Sequence, residues 1–180
     1  MKFTSTVIPD VLLIEPEVRA DSRGFFLESY RKEEFERHGI HGEFVQDNHS
    51  ASVKGVLRGL HYQTAPKAQA KLVRVIRGEV FDVAVDIRPG SPTFGRHVSQ
   101  ILSAENKKIL YVPAGFAHGY LTLSDEAEFL YKVSEVYSPA HERGIRWDDP
   151  DIRVPWMKLD LPYSLSDKDK KFPSLKESKF

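Results

Sequence analysis

The chain contains no cysteine, which removes disulfides, thiolate metal sites and cysteine nucleophiles together. It also has no surplus of charge, since 26 Lys and Arg balance 26 Asp and Glu. No net field draws it to nucleic acid or to an anionic membrane, so any anion recognition must be local. Long apolar runs are missing too: Met1-Lys2-Phe3-Thr4-Ser5-Thr6 lacks the apolar core of a signal peptide, and no segment could span a bilayer. A cytoplasmic protein is the expectation. No repeat or linker divides the 180 residues, and 41% hydrophobic with 29% charged content suits one domain over 1–180 with a full core.

What the chain does have is short runs of β-branched and aromatic residues punctuated by glycine and proline. Val11–Ile14, Phe25–Tyr30, Phe44–Ser50, Gly55–Gln63, Lys71–Asp86, Arg96–Leu102, Lys107–Val112, Tyr120–Leu123 and Phe129–Tyr137 all read as strand material. The first and second long runs, Gly55–Gln63 and Lys71–Asp86, read as consecutive antiparallel strands. In the latter, Phe81, Val83, Val85 and Ile87 form a core face, and Asp82 and Asp86 lie on the other. One short helix is expected from Arg31 to about His38, capped by Ser29, anchored by Phe35 and stopped by Gly39. About ten strands and few helices indicate an all-β sandwich or barrel whose mouth is lined by alternate inward residues.

Chemistry-bearing residues fall at particular places in that pattern. Arg58, His61 and Lys71 interrupt apolar strands, and an imidazole beside two cations could hold an anion and move a proton. Most lone strand histidines are satisfied core or surface residues, and a lysine at a strand start often exits to water. Arg58 and His61 are three apart, so a regular strand would point them to opposite faces. Gly59 between them could supply the bulge that brings both into one cavity. Gln46 and Asn48 share parity and offer amide donors and acceptors, although Asp47-Asn48 could equally form a turn. Arg23, Phe26 and Glu28 could flank one cleft. Pro113–Gly119 reads as a tight turn that presents His118 at a strand's start, while Tyr131 and Tyr137 share a face. Ser166 has helix-start character, and the charges around Asp169 read as solvated surface.

Taken together, Arg23-Gly24-Phe25-Phe26-x-Glu28, Phe44–Asn48, Leu57–Gln63, Lys71–Arg74, Pro113–Gly119, Tyr131-Lys132, Glu142–Trp147 and Leu165-Ser166-x-Lys168-Asp169 resemble the dTDP-4-dehydrorhamnose 3,5-epimerase family in order and spacing. The resemblance implies a cupin-like jelly-roll barrel with a few short helices. It also implies a homodimer with N-terminal strand exchange, acting without metal or cofactor on a dTDP-4-keto-6-deoxy sugar. By the same resemblance His61 is the base, Asp169 orients it, Tyr131 is the acid on the opposite sugar face, and Lys71 stabilises the enolate oxygen. Arg23 and Arg58 fall to the diphosphate, Glu28, Gln46, Asp47 and Asn48 to thymidine, and Tyr137 to stacking on the base. Phe26, His118, Glu142 and Lys168 match further contact positions, and Arg23, Phe26 and Glu28 could serve the partner's pocket. Ala70, before the lysine, and Val154-Pro155-Trp156 depart from the usual pattern, and neither touches a proposed proton-transfer group.

The residue types suit that chemistry. A C4 ketone acidifies the hydrogens at C3 and C5, because removing either leaves charge on O4. Inversion then needs a base and an acid on opposite sides. Two rivals remain at this level, besides epimerisation of one centre alone. A metal-dependent cupin wants His-x-His with a nearby Glu, where this chain has His61-Tyr62-Gln63. A nonenzymatic nucleotide-sugar-binding protein would not explain His61, Lys71, Tyr131 and Asp169 together.

Overall fold

The computed structural model describes residues 1–180. Its strands are β1 (Lys2–Ser5), β2 (Leu12–Glu15), β3 (Val18–Asp21), β4 (Gly24–Leu27), β5 (Gln46–Val53), β6 (Leu57–Gln63), β7 (Lys71–Arg77), β8 (Glu79–Asp86), β9 (His97–Ser103), β10 (Ile109–Val112), β11 (Phe116–Thr122), β12 (Glu126–Val133) and β13 (Glu142–Gly144). One helix, α1 (Lys32–Arg37), follows β4, and two single-turn 3₁₀ helices lie near the C-terminus at Asp169–Lys171 and Leu175–Glu177. No helix is long and apolar enough to cross a membrane.

A six-stranded sheet in the order β1-β2-β10-β7-β12-β5 packs on a five-stranded sheet in the order β13-β6-β11-β8-β9, and β3 and β4 form a separate hairpin. Alternation explains the interior: Val73 and Val75 from β7 and Phe129 from β12 meet Ala84 from β8, Val98 from β9 and Tyr120 from β11 between the sheets. This is the expected jelly roll, with one correction to strand pairing. β6 and β7 are consecutive but do not pair; β6 lies between β13 and β11, while β7 lies between β10 and β12. Alternation fixes which face is apolar but not which neighbour a strand takes.

β8 departs from its expected two-faced character because both of its faces are buried. Phe81, Val83, Val85 and Ile87 pack outward under the C-terminal segment that brings Ile145, Trp147, Ile152, Trp156 and Leu175 across the sheet. Its carboxylates point elsewhere but are not solvated: Asp82 and Asp86 are both fully buried. Asp86 accepts hydrogen bonds from Arg88, Ser91 and Thr93, and burial of a charge is tolerated when it is paired in this way. The outer face of the other sheet is covered in part by α1, whose Phe35 packs with Ile14, Leu72 and Ile109. Arg31, not Ser29, is the N-cap, and it makes no side-chain cap bond. Gly39 follows the helix with φ of +83°, the left-handed geometry expected of it.

Three other boundaries move. β4 stops at Leu27, short of Tyr30; β11 starts at Phe116, so His118 lies within a strand; β12 stops at Val133, which leaves Tyr137 in a loop.

The parity difficulty between Arg58 and His61 is resolved at Gly59. On β11, His118 faces His61 and Tyr120 faces Arg58, with a register shift between them. Three steps along β6 therefore match two along β11, which is a bulge. It lets Leu57 and Leu60 both enter the outer core while Arg58 and His61 both line the cleft. Gly59 has φ of +134°, and a Cβ there would sit 2.6 Å from Gly119 Cα. Gly59→Ala should accordingly lower stability by about 1–3 kcal/mol, read as a drop in the denaturant midpoint at constant slope. An unchanged midpoint would mean that the bulge does not depend on glycine.

Candidate active site

Two adjoining lobes, each of about 230 Å³, share His61, Lys71, Tyr131 and Glu142 in their walls. One lobe adds Gln46, Asn48, Gln63, Gln69 and Tyr137. The other adds Ser50, Arg58, His118, Tyr120 and Phe129. His61 comes from the five-stranded sheet, whereas Lys71 and Tyr131 come from the six-stranded one. The imidazole and the phenol thus reach the same space from facing layers.

His61 Nε2 lies 2.7 Å from Asp169 Oδ1, and the histidine side chain keeps 28% of its surface exposed while the carboxylate is buried. Burial acts to raise the Asp169 pKa, but the hydrogen bond and charge of His61, with Ser166 and the Gly59 N–H, outweigh it and lower the net value. An ionised Asp169 can only accept, so Nε2 carries the hydrogen and Nδ1 is left as the basic nitrogen. The carboxylate is held by local structure: Asp169 N–H donates to Ser166 Oγ at 3.1 Å. Three residues on, the Phe172 ring meets the imidazole edge to face, with centroids 5.4 Å apart. That ring fills the space a side chain at position 144 would need, since a Cβ on Gly144 would lie 2.3 Å from it.

Lys71 is buried, with no carboxylate within ion-pair distance. Burial pushes its ammonium down to about 8, against the opposing pull of Asp82 and Glu142. A desolvated amine with no anion of its own is a place for a ligand's negative charge. The Tyr131 hydroxyl has no protein partner, and burial, then Tyr120, pushes its pKa up. It is therefore a neutral proton donor at working pH.

Around these groups the other contact positions are held in place. His118 Nε2 lies 3.0 Å from both oxygens of the buried Asp82. Arg58 donates from Nε to Ser52 Oγ at 3.0 Å and from Nη2 to the Ala51 carbonyl at 3.3 Å. Tyr120 OH is within 3.1 Å of Ser50 Oγ and 3.3 Å of Ser52 Oγ, so these hydroxyls fix the guanidinium. Gln46 Nε2 donates to Asn48 Oδ1 at 2.8 Å, confirming their shared face on β5. Glu142 accepts from Tyr137 OH and from Lys168 Nζ, each at 2.7 Å. Burial acts to raise its pKa, but these donors lower it overall.

Four expected residues are not brought here. Asp47 has the opposite parity from Gln46 and Asn48, and it pairs with Lys132 at 2.9 Å on the outer face. Arg23, Phe26 and Glu28 lie on or just beyond the β3–β4 hairpin; Arg23 is bound to Asp21, Phe26 is exposed, and Glu28 lies 3.5 Å from Arg31. Conversely, Asp82, Ser50, Ser52, Tyr120 and Phe172 support the cleft without having been singled out. The parity that Ser50 and Ser52 share with Gln46 and Asn48 was the available signal for two of them. No three His, Asp or Glu side chains converge in a cluster able to hold a metal ion.

The model of the family described as dTDP-4-dehydrorhamnose 3,5-epimerase matches residues 5–177. The chain belongs to that family. It is 57% identical over 171 residues to the dTDP-4-dehydrorhamnose 3,5-epimerase of Pseudomonas aeruginosa, covering 94% of this chain and 93% of the relative. Among solved structures it resembles the dTDP-6-deoxy-D-glucose-3,5-epimerase of Legionella pneumophila in complex with dTDP-4-keto-L-rhamnose. That likeness has a TM-score of 0.95 and 48% identity, over 98% of this chain and 93% of the other. A 3′-monoepimerase from Streptomyces bikiniensis in complex with dTDP-quinovose shares the fold at a TM-score of 0.89, with 37% identity over 96% of this chain and 87% of the other. The epimerase family thus accounts for the jelly roll and for an enzyme of the isomerase class.

Proposed function

We propose that this enzyme inverts C3 and C5 of dTDP-4-dehydro-6-deoxy-D-glucose within the one cleft, His61 removing each proton and Tyr131 returning one from the other side. The product is dTDP-4-dehydro-L-rhamnose, an activated deoxysugar of L-rhamnose and carbohydrate biosynthesis. The observation that carries the assignment of residues is that base and acid reach a shared space from facing sheets, so the two faces of a sugar ring between them meet different groups.

His61 Nδ1 takes the proton from the carbon beside the ketone, and the bonding pair moves to O4. Lys71 meets the charge where it develops, and Asp169 stabilises the imidazolium. Tyr131 OH then protonates the carbon from the opposite face as the electron pair returns from O4. The phenolate regains a hydrogen from solvent, and the imidazolium releases its proton to solvent before the second centre reacts. Both centres flank the same carbonyl, so one set of side chains serves both.

On the nucleotide side, Arg58 takes the diphosphate with its unbonded Nη1, since a planar guanidinium suits phosphate oxygens. Gln46, Asn48 and Tyr137 hold thymidine, and His118, Glu142 and Lys168 complete the contacts. The exposed hairpin supports a homodimer: Phe25 and Phe26 are 61% and 68% exposed with no core of their own. Exchange of N-terminal strands would bring Arg23, Phe26 and Glu28 of a second copy to this cleft. Residues 1–180 work as one domain, in the cytoplasm, where a nucleotide-activated sugar is met.

Incubation with the keto sugar nucleotide in D₂O tests this. Proton NMR should show deuterium entering at both C3 and C5, and reduction of the product should give the L-rhamnose configuration. Label at one centre alone would make it a single-centre epimerase, and no label would make it a binding protein.

A further inference from the structure

The segment between β12 and β13 carries Tyr137 to the rim of the cleft, and glutamine side chains hold it there. Gln69 Nε2 donates to the Glu135 carbonyl at 2.7 Å, and Gln46 Oε1 accepts from the Tyr137 N–H at 2.9 Å. Gln63 does more. Its Oε1 accepts from the Ser138 N–H at 2.7 Å, and its Nε2 donates to the Val136 carbonyl at 3.3 Å and to the Lys67 carbonyl at 2.6 Å. It is buried on β6, so its amide would be costly to leave unpaired. The Tyr137 ring is held differently: half its surface is exposed, and its hydroxyl reaches Glu142.

We infer that Gln63 is a positioning residue for Tyr137, clamping the backbone on both sides of the tyrosine so that its ring is poised over the nucleotide end of the substrate. The inference rests on the reading of Tyr137 as a substrate contact. An amide is required, because one rigid plane must accept from one backbone N–H and donate to two carbonyls. The same amide ties the 64–70 loop to the tyrosine loop through Lys67, so both rims are set together. A loop ordered before the ligand arrives loses less freedom on binding, and the benefit appears in affinity. Gln63 lines the Tyr137 lobe of the cleft, but both ends of its amide are taken up by backbone groups of the two loops, so its loss should raise KM more than it lowers kcat.

The test is a double-mutant cycle on the full chain, read by steady-state kinetics and by calorimetric binding of dTDP, with melting curves as a check on folding. Gln63→Met preserves volume and deletes the amide; Gln63→Glu presents a carboxylate to two carbonyls and provides a second variant should the first fold poorly. Gln63→Met should weaken dTDP binding and raise KM by roughly five- to tenfold, with a smaller fall in kcat. In a Tyr137→Ala background the same change should cost less than about twofold, because the clamp then has no ring to place. Unchanged KM and dTDP affinity in Gln63→Met would overturn the inference, as would an equal loss in both backgrounds, which would show that the amide acts elsewhere. If Tyr137→Ala itself binds dTDP as the wild type does, the reading of Tyr137 as a substrate contact fails instead.

Discussion

His61→Ala loses turnover by on the order of 10²–10⁴-fold, the range for removal of a positioned general base, and loses deuterium exchange at C3 and C5 together. Both losses follow from one imidazole serving both carbons. Tyr131→Phe separates the steps. The imidazole still takes the proton, exchanges it with solvent and returns it to the face it came from, so deuterium enters without inversion. Asp169→Asn should fall between the two variants: the amide can satisfy Nε2 as a donor, which turns the ring to the wrong tautomer, and it no longer offsets the imidazolium charge. The measurement is NMR wash-in of solvent deuterium beside product configuration for each variant. Wash-in at wild-type rate in His61→Ala would remove the histidine from its role, and inversion at wild-type rate in Tyr131→Phe would remove the phenol.

How much of this site could be read from the chain depends on whether its cause is local. Arg58, His61 and Lys71 stand out because each interrupts an apolar strand, whereas Tyr131 continues the face of Phe129 and Val133 and took its role from the family resemblance. Gly59 marks the one place where Arg58 and His61 could be brought to a common face. Asp47 was also legible, since it has the wrong parity relative to Gln46 and Asn48, yet as part of a motif it was grouped with them. Asp169 is another matter. It lies 108 residues from His61, in a stretch whose charges read as solvated surface, and only family resemblance picked it out. Its burial is created by the C-terminal segment folding back over β6, which no periodicity encodes. The same segment explains why β8 is buried on both faces, and why Phe172 and Gly144 matter to the imidazole. Pairing was equally hidden: β6 and β7 each alternate correctly, but the crossover that puts them in facing sheets is a property of the whole chain. That crossover is what sets the His61 imidazole in the sheet facing Lys71 and Tyr131.

Lys71→Met should give a protein that is more stable and nearly inactive. The wild-type ammonium is buried without an ion-pair partner, and its folded pKa of about 8 lies below the unfolded value of 10.5. That difference corresponds to roughly 3 kcal/mol against the folded state wherever both forms are protonated. Below pH 8 the penalty is present in full. Between about pH 8 and 10.5 the unfolded chain binds the extra proton, so wild-type stability rises with pH relative to the variant. Methionine fills the site without a charge, so its advantage should be greatest at neutral pH and fade toward pH 10.5. Denaturant melts at pH 7 and pH 10 check this, and a variant less stable than wild type at pH 7 would mean that the ammonium is compensated in a way the cleft does not reveal. The rate moves the other way: removing the one cation at the developing O4 charge costs about 10²–10³-fold in kcat. In the wild type the same titration should make kcat/KM fall above pH about 8, as the free enzyme loses the charge that the enolate needs. A destabilised cation kept where negative charge forms is what a site shaped for an enolate requires, and its cost to the fold and its value to the reaction are two measurements of one desolvation.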